Sequence, residues 1–167
     1  MTKRFQHSGP HRDEVYEVSA SRDINAPREE VWALIKPAEN ALLFEPRLTR
    51  AFHIPGTPEG VGGMQGFIYR HEGREHLTAL EILDEVSEEY TVTRPIGRDD
   101  DSARTSYYLT DTPKGTRLEL RQTFTVPRLQ RVNAADFQAE YRAAATVILE
   151  RIGLLIENGW KRRQTPQ

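Results

Sequence analysis

The sequence predicts an α+β domain in which a strongly curved, seven-stranded antiparallel sheet wraps around one long C-terminal helix, with two short helices after strand 1. Three observations predict it. Residues 48–126 alternate apolar and polar side chains and break at hairpin spacing. After Pro127 the period changes from 2 to 3.6 and holds to Asn158. A short helical pattern opening at Pro27 separates the first strand from the others.

Each element follows from its own residues. Val15–Ile24 puts Val18, Ala20 and Ile24 on one parity and Ser19, Ser21 and Asp23 on the other, an amphipathic strand. Pro27 suits the first helical position, and Glu29 and Glu30 stand where a helix N-terminus favours negative charge. Val31, Leu34 and Ile35 share a face, Pro37 interrupts, and Ala38–Phe44 supplies the second short helix. Strands are then predicted at Leu48–Ile54, Met64–Glu72, Glu75–Glu85, Tyr90–Arg94, Ala103–Thr110 and Thr116–Val126. Gly73-Arg74 reads as a two-residue turn with glycine first, and Thr112-Pro113-Lys114-Gly115 as a four-residue turn. In the last strand Leu118, Leu120, Gln122, Phe124 and Val126 face one way, while Arg117, Glu119, Arg121, Thr123 and Thr125 face the other. Asn133 can cap the final helix, Gly159 stops it, and Phe137, Tyr141, Ala144, Ile148, Ile152 and Leu155 form its stripe. Its 25 or so residues would span ~37 Å.

Length and composition narrow the class. The 167 residues favour one domain, expected at 14–159, with an N-terminal arm at 1–13 and a C-terminal tail at 160–167. With no cysteine there is no disulfide framework, thiol nucleophile or cysteine-bound metal. A net charge of −2 gives no reason to expect a nucleic-acid partner. No stretch approaches the ~18 apolar residues of a membrane span, and the first residues lack the apolar run of a signal peptide. A cytoplasmic protein without membrane insertion is expected, its oligomeric state unreadable.

Seven strands with one apolar face each need a cover, and only the C-terminal helix is long enough to supply it. One helix cannot fill that concavity, and Ala143, Ala144 and Ala145 thin it further at mid-length. An internal cavity follows, and with it a hydrophobic small-molecule ligand.

The strand, the Ile24-x-Ala26-Pro27-x-x-x-Val31-Trp32 run, the short helix, the six-strand meander with Gly115-Thr116-Arg117-Leu118 and the long last helix together resemble the START-like (SRPBCC) helix-grip superfamily over about residues 15–158. The similarity points to its polyketide cyclase/dehydrase-like branch. Polyketide cyclases and aromatases, plant pathogenesis-related allergens and lipid-transfer domains share that fold. The resemblance implies an open-ended apolar pocket between helix and sheet. For the aromatase members it also implies an inward arginine on the strand matching Glu75–Glu85, where this chain has Ile82. At the positions nearest their pocket tryptophans this chain has His76, Tyr107 and Leu120.

Counting from the Gly73-Arg74 turn pairs His71 with His76, Tyr69 with Thr78 and Phe67 with Leu80. The expected lining is then Phe67, Tyr69, His76, Thr78, Leu80, Ile82, Tyr107, Leu120, Gln122, Phe124, Tyr141 and Ile148. His71 and His76 either form an exposed cross-strand pair at the hairpin tip or lend an imidazole to acid/base work. Without a third ligand they make a poor zinc site, so no metal and no cofactor are expected. Gln122, on an otherwise apolar face, bonds its neighbours or fixes a polar group of the ligand. The tyrosines read first as core residues with bonded hydroxyls. Arg22 shares parity with Val18 and Ile24, so it either anchors an acidic ligand or keeps its head in solvent. Gly60–Gly63 lacks the context of a phosphate loop, and Asp99-Asp100-Asp101 reads as a solvated hairpin loop.

No catalytic set can be assigned; His76, Tyr69 and Gln122 are the candidates. A binder or carrier of a lipid- or polyketide-like molecule is the preferred function. The alternative is a cyclase, aromatase or dehydratase acting on a poly-β-ketone in the same cavity. An interaction domain using an outer surface ranks last, since no large exposed apolar patch is readable.

Overall fold

The computed structural model describes residues 14–97, 100–126 and 134–160, and the expectations for the N-terminal arm, Asp99, Pro127, the Asn133 cap and residues 161–167 lie outside them. The elements run β1 (Glu14–Ile24), α1 (Arg28–Ile35), a 3₁₀ turn (Ala38–Asn40) leading into α2 (Ala41–Phe44), β2 (Leu48–His53), β3 (Met64–His71), β4 (Arg74–Val86), β5 (Tyr90–Pro95), β6 (Arg104–Thr112), β7 (Gly115–Val126) and α3 (Ala134–Glu157). The seven strands form one antiparallel sheet in the order β1-β7-β6-β5-β4-β3-β2. This is the helix-grip arrangement, with β1 brought to the far edge by pairing along its whole length with β7.

The β6–β7 register places Tyr107 opposite Leu120 and Leu109 opposite Leu118, as the turn at 112–115 requires. The β3–β4 register differs from expectation. His71 pairs with Arg74, Tyr69 with His76, Phe67 with Thr78 and Gln65 with Leu80. The loop residues are Glu72 and Gly73, with φ of 49° and 74°. Two consecutive positive φ values make the turn whose twist matches the strands, so glycine stands second and the pairing slips by two. Because side chains alternate with period 2, that slip leaves every residue on its expected face.

α1 begins one residue later than expected. Pro27 is its N-cap, and the Pro27 carbonyl accepts from the N–H groups of Glu30 and Val31. At the other end of the chain, Gly159 N–H donates to Ile156 and Trp160 N–H to Leu155, which closes α3 with a double-bonded cap. Trp160 thereby packs against the core rather than joining the tail.

α3 does not lie across the middle of the sheet. Apart from Ala134 at its start, its buried residues are Ala145, Ile148, Leu149, Ile152, Gly153 and Ile156, and the helix packs on β1 at the sheet edge and on α1, α2 and β7. The expected stripe is thus half displaced, since Ala144 and Tyr141 lie off the buried face and the N-terminal half of the helix is largely exposed. The packed core joins these residues to Ile24, Val31, Trp32, Leu34, Phe44, Leu109, Leu118 and Leu120. Of strands β3 to β5 only β3 meets this core, where Phe67 packs against its margin. None of the described helices is long and apolar enough to cross a membrane.

Candidate functional site

The uncovered part of the sheet is hollow. A half-open cavity of ≈ 460 Å³ is lined by β3 to β7 on one side and by the segment from Ile35 to Leu48 on the other. The sequence reading placed it between sheet and C-terminal helix. In the structure α2 and its flanks form that wall, because α3 is held to the β1 edge. A second hollow of ≈ 320 Å³ adjoins it, and only there does α3 contribute, through Phe137 and Tyr141. The two share Thr78, Leu80, Thr105 and Gln122.

Phe67, Tyr69, Thr78, Leu80, Ile82, Tyr107 and Gln122 all line the larger cavity. Phe124 and Tyr141 line the smaller one, their rings stacked with centroids 4.6 Å apart. Three expected members lie elsewhere. Leu120 and Ile148 are consumed by the core, 2% and 8% exposed, because α3 packs directly on β7 there. His76 is exposed near the hairpin tip, past the cavity wall, where the observed register stacks it on Tyr69 at 5.3 Å. His71 is its exposed diagonal neighbour rather than its cross-strand partner. Among the described residues no His, Asp and Glu side chains gather as a metal site would need.

Arg22 is neither a ligand anchor nor a free surface head. It lies across α3 at Gly153, with Nη1 donating to Glu150 and Nη2 to Glu157 at 2.9 Å. A Cβ at position 153 would collide with the Arg22 guanidinium, so glycine is what admits it. Asp100 also departs from the solvated loop expected of it. It accepts from Ser102 N–H at 3.0 Å and from its hydroxyl, and from Thr125 N–H and Oγ1, each at 2.9 Å. Desolvation alone would raise its pKa; these bonds outweigh that and bring it to about 2.

Several polar residues of the cavity were not anticipated. Glu45 and Arg47 come from the link between α2 and β2, Gln65 from β3, and Thr91, Thr93 and Thr105 from β5 and β6. Lys36 and Glu85 form an ion pair in the wall. Burial raises the pKa of Glu45, and the nearby Arg47 charge only partly opposes this. Burial also raises that of Tyr107, and the charge of Glu45 adds to it. Among the described residues, the side chains of Glu45, Gln65, Tyr69, Tyr107 and Gln122 have no hydrogen-bond partner in the protein. The arrangement is an apolar and aromatic chamber with unspent donors and acceptors on its walls, which suits a guest larger than water.

A family model described as polyketide cyclase / dehydrase and lipid transport matches residues 16–151. No curated protein matches the chain in sequence. Among solved structures, the chain is similar to the di-domain aromatase/cyclase StfQ of the steffimycin biosynthetic pathway (13% identity, TM-score 0.73), covering 86% of this chain and 51% of that one. It is also similar to the Zhui aromatase/cyclase of Streptomyces sp. R1128 (13%, TM-score 0.69), over 89% and 97% of the two chains. A third is TTHA0849 of Thermus thermophilus (19%, TM-score 0.68), over 87% and 100%. At these identities the likeness is one of fold.

Proposed function

The chain belongs to the polyketide cyclase/dehydrase and lipid transport family, and from that membership we propose that it binds a hydrophobic, lipid- or polyketide-like small molecule in the cavity between its sheet and the α1–β2 segment. One observation carries the reading. A ≈ 460 Å³ chamber walled by Phe67, Leu80, Ile82 and Tyr107 also bears the amide of Gln122 and the hydroxyl of Tyr69. Apolar area supplies affinity at about 25 cal/mol per Å² buried, and the few polar groups fix orientation. Binding is favoured over cyclisation at one position. The site that the resemblance reserves for an inward arginine is Ile82, 1% exposed, so that position presents no guanidinium to hold an enolate, and the arginine that does line the cavity, Arg47, is exposed on the α2–β2 link.

Native mass spectrometry of the freshly purified protein tests the proposal, together with thermal shifts against aromatic polyketides, fatty acids and sterols. A co-purified mass, or stabilisation by one class, is the expected result. No adduct and no shift with any class overturns it.

A further inference from the structure

Resting on that reading of the cavity, we infer that Glu45 engages the ligand as a neutral carboxylic acid donating a hydrogen bond to a ligand carbonyl oxygen, so that filling the cavity takes up a proton from solvent.

Glu45 follows Phe44, which is 3% exposed, and lines the cavity from the link into β2. Among the described residues its carboxyl has neither a hydrogen bond nor an ion pair within the protein. The charged and titratable groups lining the same chamber can be taken in turn. Lys36, at the end of α1, is neutralised by Glu85 of β4. Tyr107 on β6 is a phenol that burial and the Glu45 charge hold in its neutral form. Arg47 favours the carboxylate, but it is itself exposed at the mouth, and burial prevails over it. An apolar guest strips away whatever water still reaches Glu45, which penalises the charged form further. A neutral carboxyl must place its own O–H, and with no hydrogen bond to the walls among the described residues it turns to an acceptor on the guest. The ligand class that follows is a hydrophobic ketone, quinone or enone rather than a hydrocarbon or an amine.

Flavone, a three-ring ketone that does not titrate, and 2-phenylnaphthalene, a hydrocarbon of similar shape, separate the possibilities by equilibrium dialysis between about pH 5 and about pH 8. The wild type should prefer flavone, and its flavone affinity should fall as pH rises, by up to about tenfold per unit above the Glu45 pKa. Calorimetry in phosphate and in Tris should report proton uptake. Glu45→Gln keeps a donor at all pH values, so it should retain the preference and lose its pH dependence, whereas Glu45→Leu should lose the preference. Flavone affinity that is flat or rises with pH, or a Glu45→Gln protein that behaves as Glu45→Leu does, overturns the role of Glu45 alone. If neither probe binds the wild type at any pH, the ligand-binding reading itself falls.

Discussion

The Thr116 hydroxyl, fully buried, donates to the Ala26 carbonyl at 2.8 Å across 90 positions of sequence. The bond ties the start of β7 to the turn between β1 and α1, and so joins the two short motifs on which the family resemblance rested. Thr116→Val keeps the shape and orphans that carbonyl. We expect a loss of about 1–3 kcal/mol in urea unfolding with an unchanged m value, largely restored by Thr116→Ser. A valine variant as stable as the wild type would deny the bond any weight.

Gly153 sets two effects against each other. Helix propensity alone would make alanine better there by about 1 kcal/mol. The methyl would meet the far end of Arg22, which can yield only by giving up its pairs with Glu150 and Glu157, so the collision should cost more, about 1–3 kcal/mol. Gly153→Ala is therefore expected to destabilise the wild type and to stabilise an Arg22→Ala background, a sign reversal that a double-mutant cycle reads directly.

Asp100 predicts an acid-sensitive component of stability. Its folded pKa of about 2 lies below the ordinary value of 3.8, so the stabilisation is complete above about pH 4 and fades as pH falls toward 2. Asp100→Asn should lower stability at neutral pH, and the gap between variant and wild type should narrow through that window. Chemical unfolding at about pH 7 and about pH 3 checks it; a gap independent of pH would contradict the assignment.

Ligand binding should distinguish Gln122 from His76. Gln122→Leu removes an amide without a protein partner, so stability should hold within about 0.5 kcal/mol. Affinity for a ketone probe should fall several-fold while that for a hydrocarbon rises. His76→Ala, past the cavity wall, should leave both affinities unchanged.

The strands and the long helix were legible because period 2 and period 3.6 are written into β7 and α3 residue by residue. The hairpin register was not. Glycine can occupy either loop position, and the partner with positive φ proved to be Glu72, whose side chain does not advertise that conformation. Gln65 shares parity with Phe67 and Tyr69 and could have been placed in the lining. Glu45 and Arg47 could not, because the Phe-Glu-Pro-Arg link has no periodicity and its burial is decided by what packs over it. Leu120 and Ile148 carry the right parity for a lining, yet parity cannot say which length of an inward face a helix will cover.

Gln122 stands in the partition common to both hollows, beside Thr78, Leu80 and Thr105. The bulk of these four side chains therefore bears on whether the interior offers one long chamber or two short compartments. A shorter residue there would admit elongated, rod-like molecules that span the pair, and a bulkier one would restrict the protein to stubby guests. Length discrimination would then reside in a few replaceable side chains, leaving the surrounding scaffold untouched as chain length preference drifts.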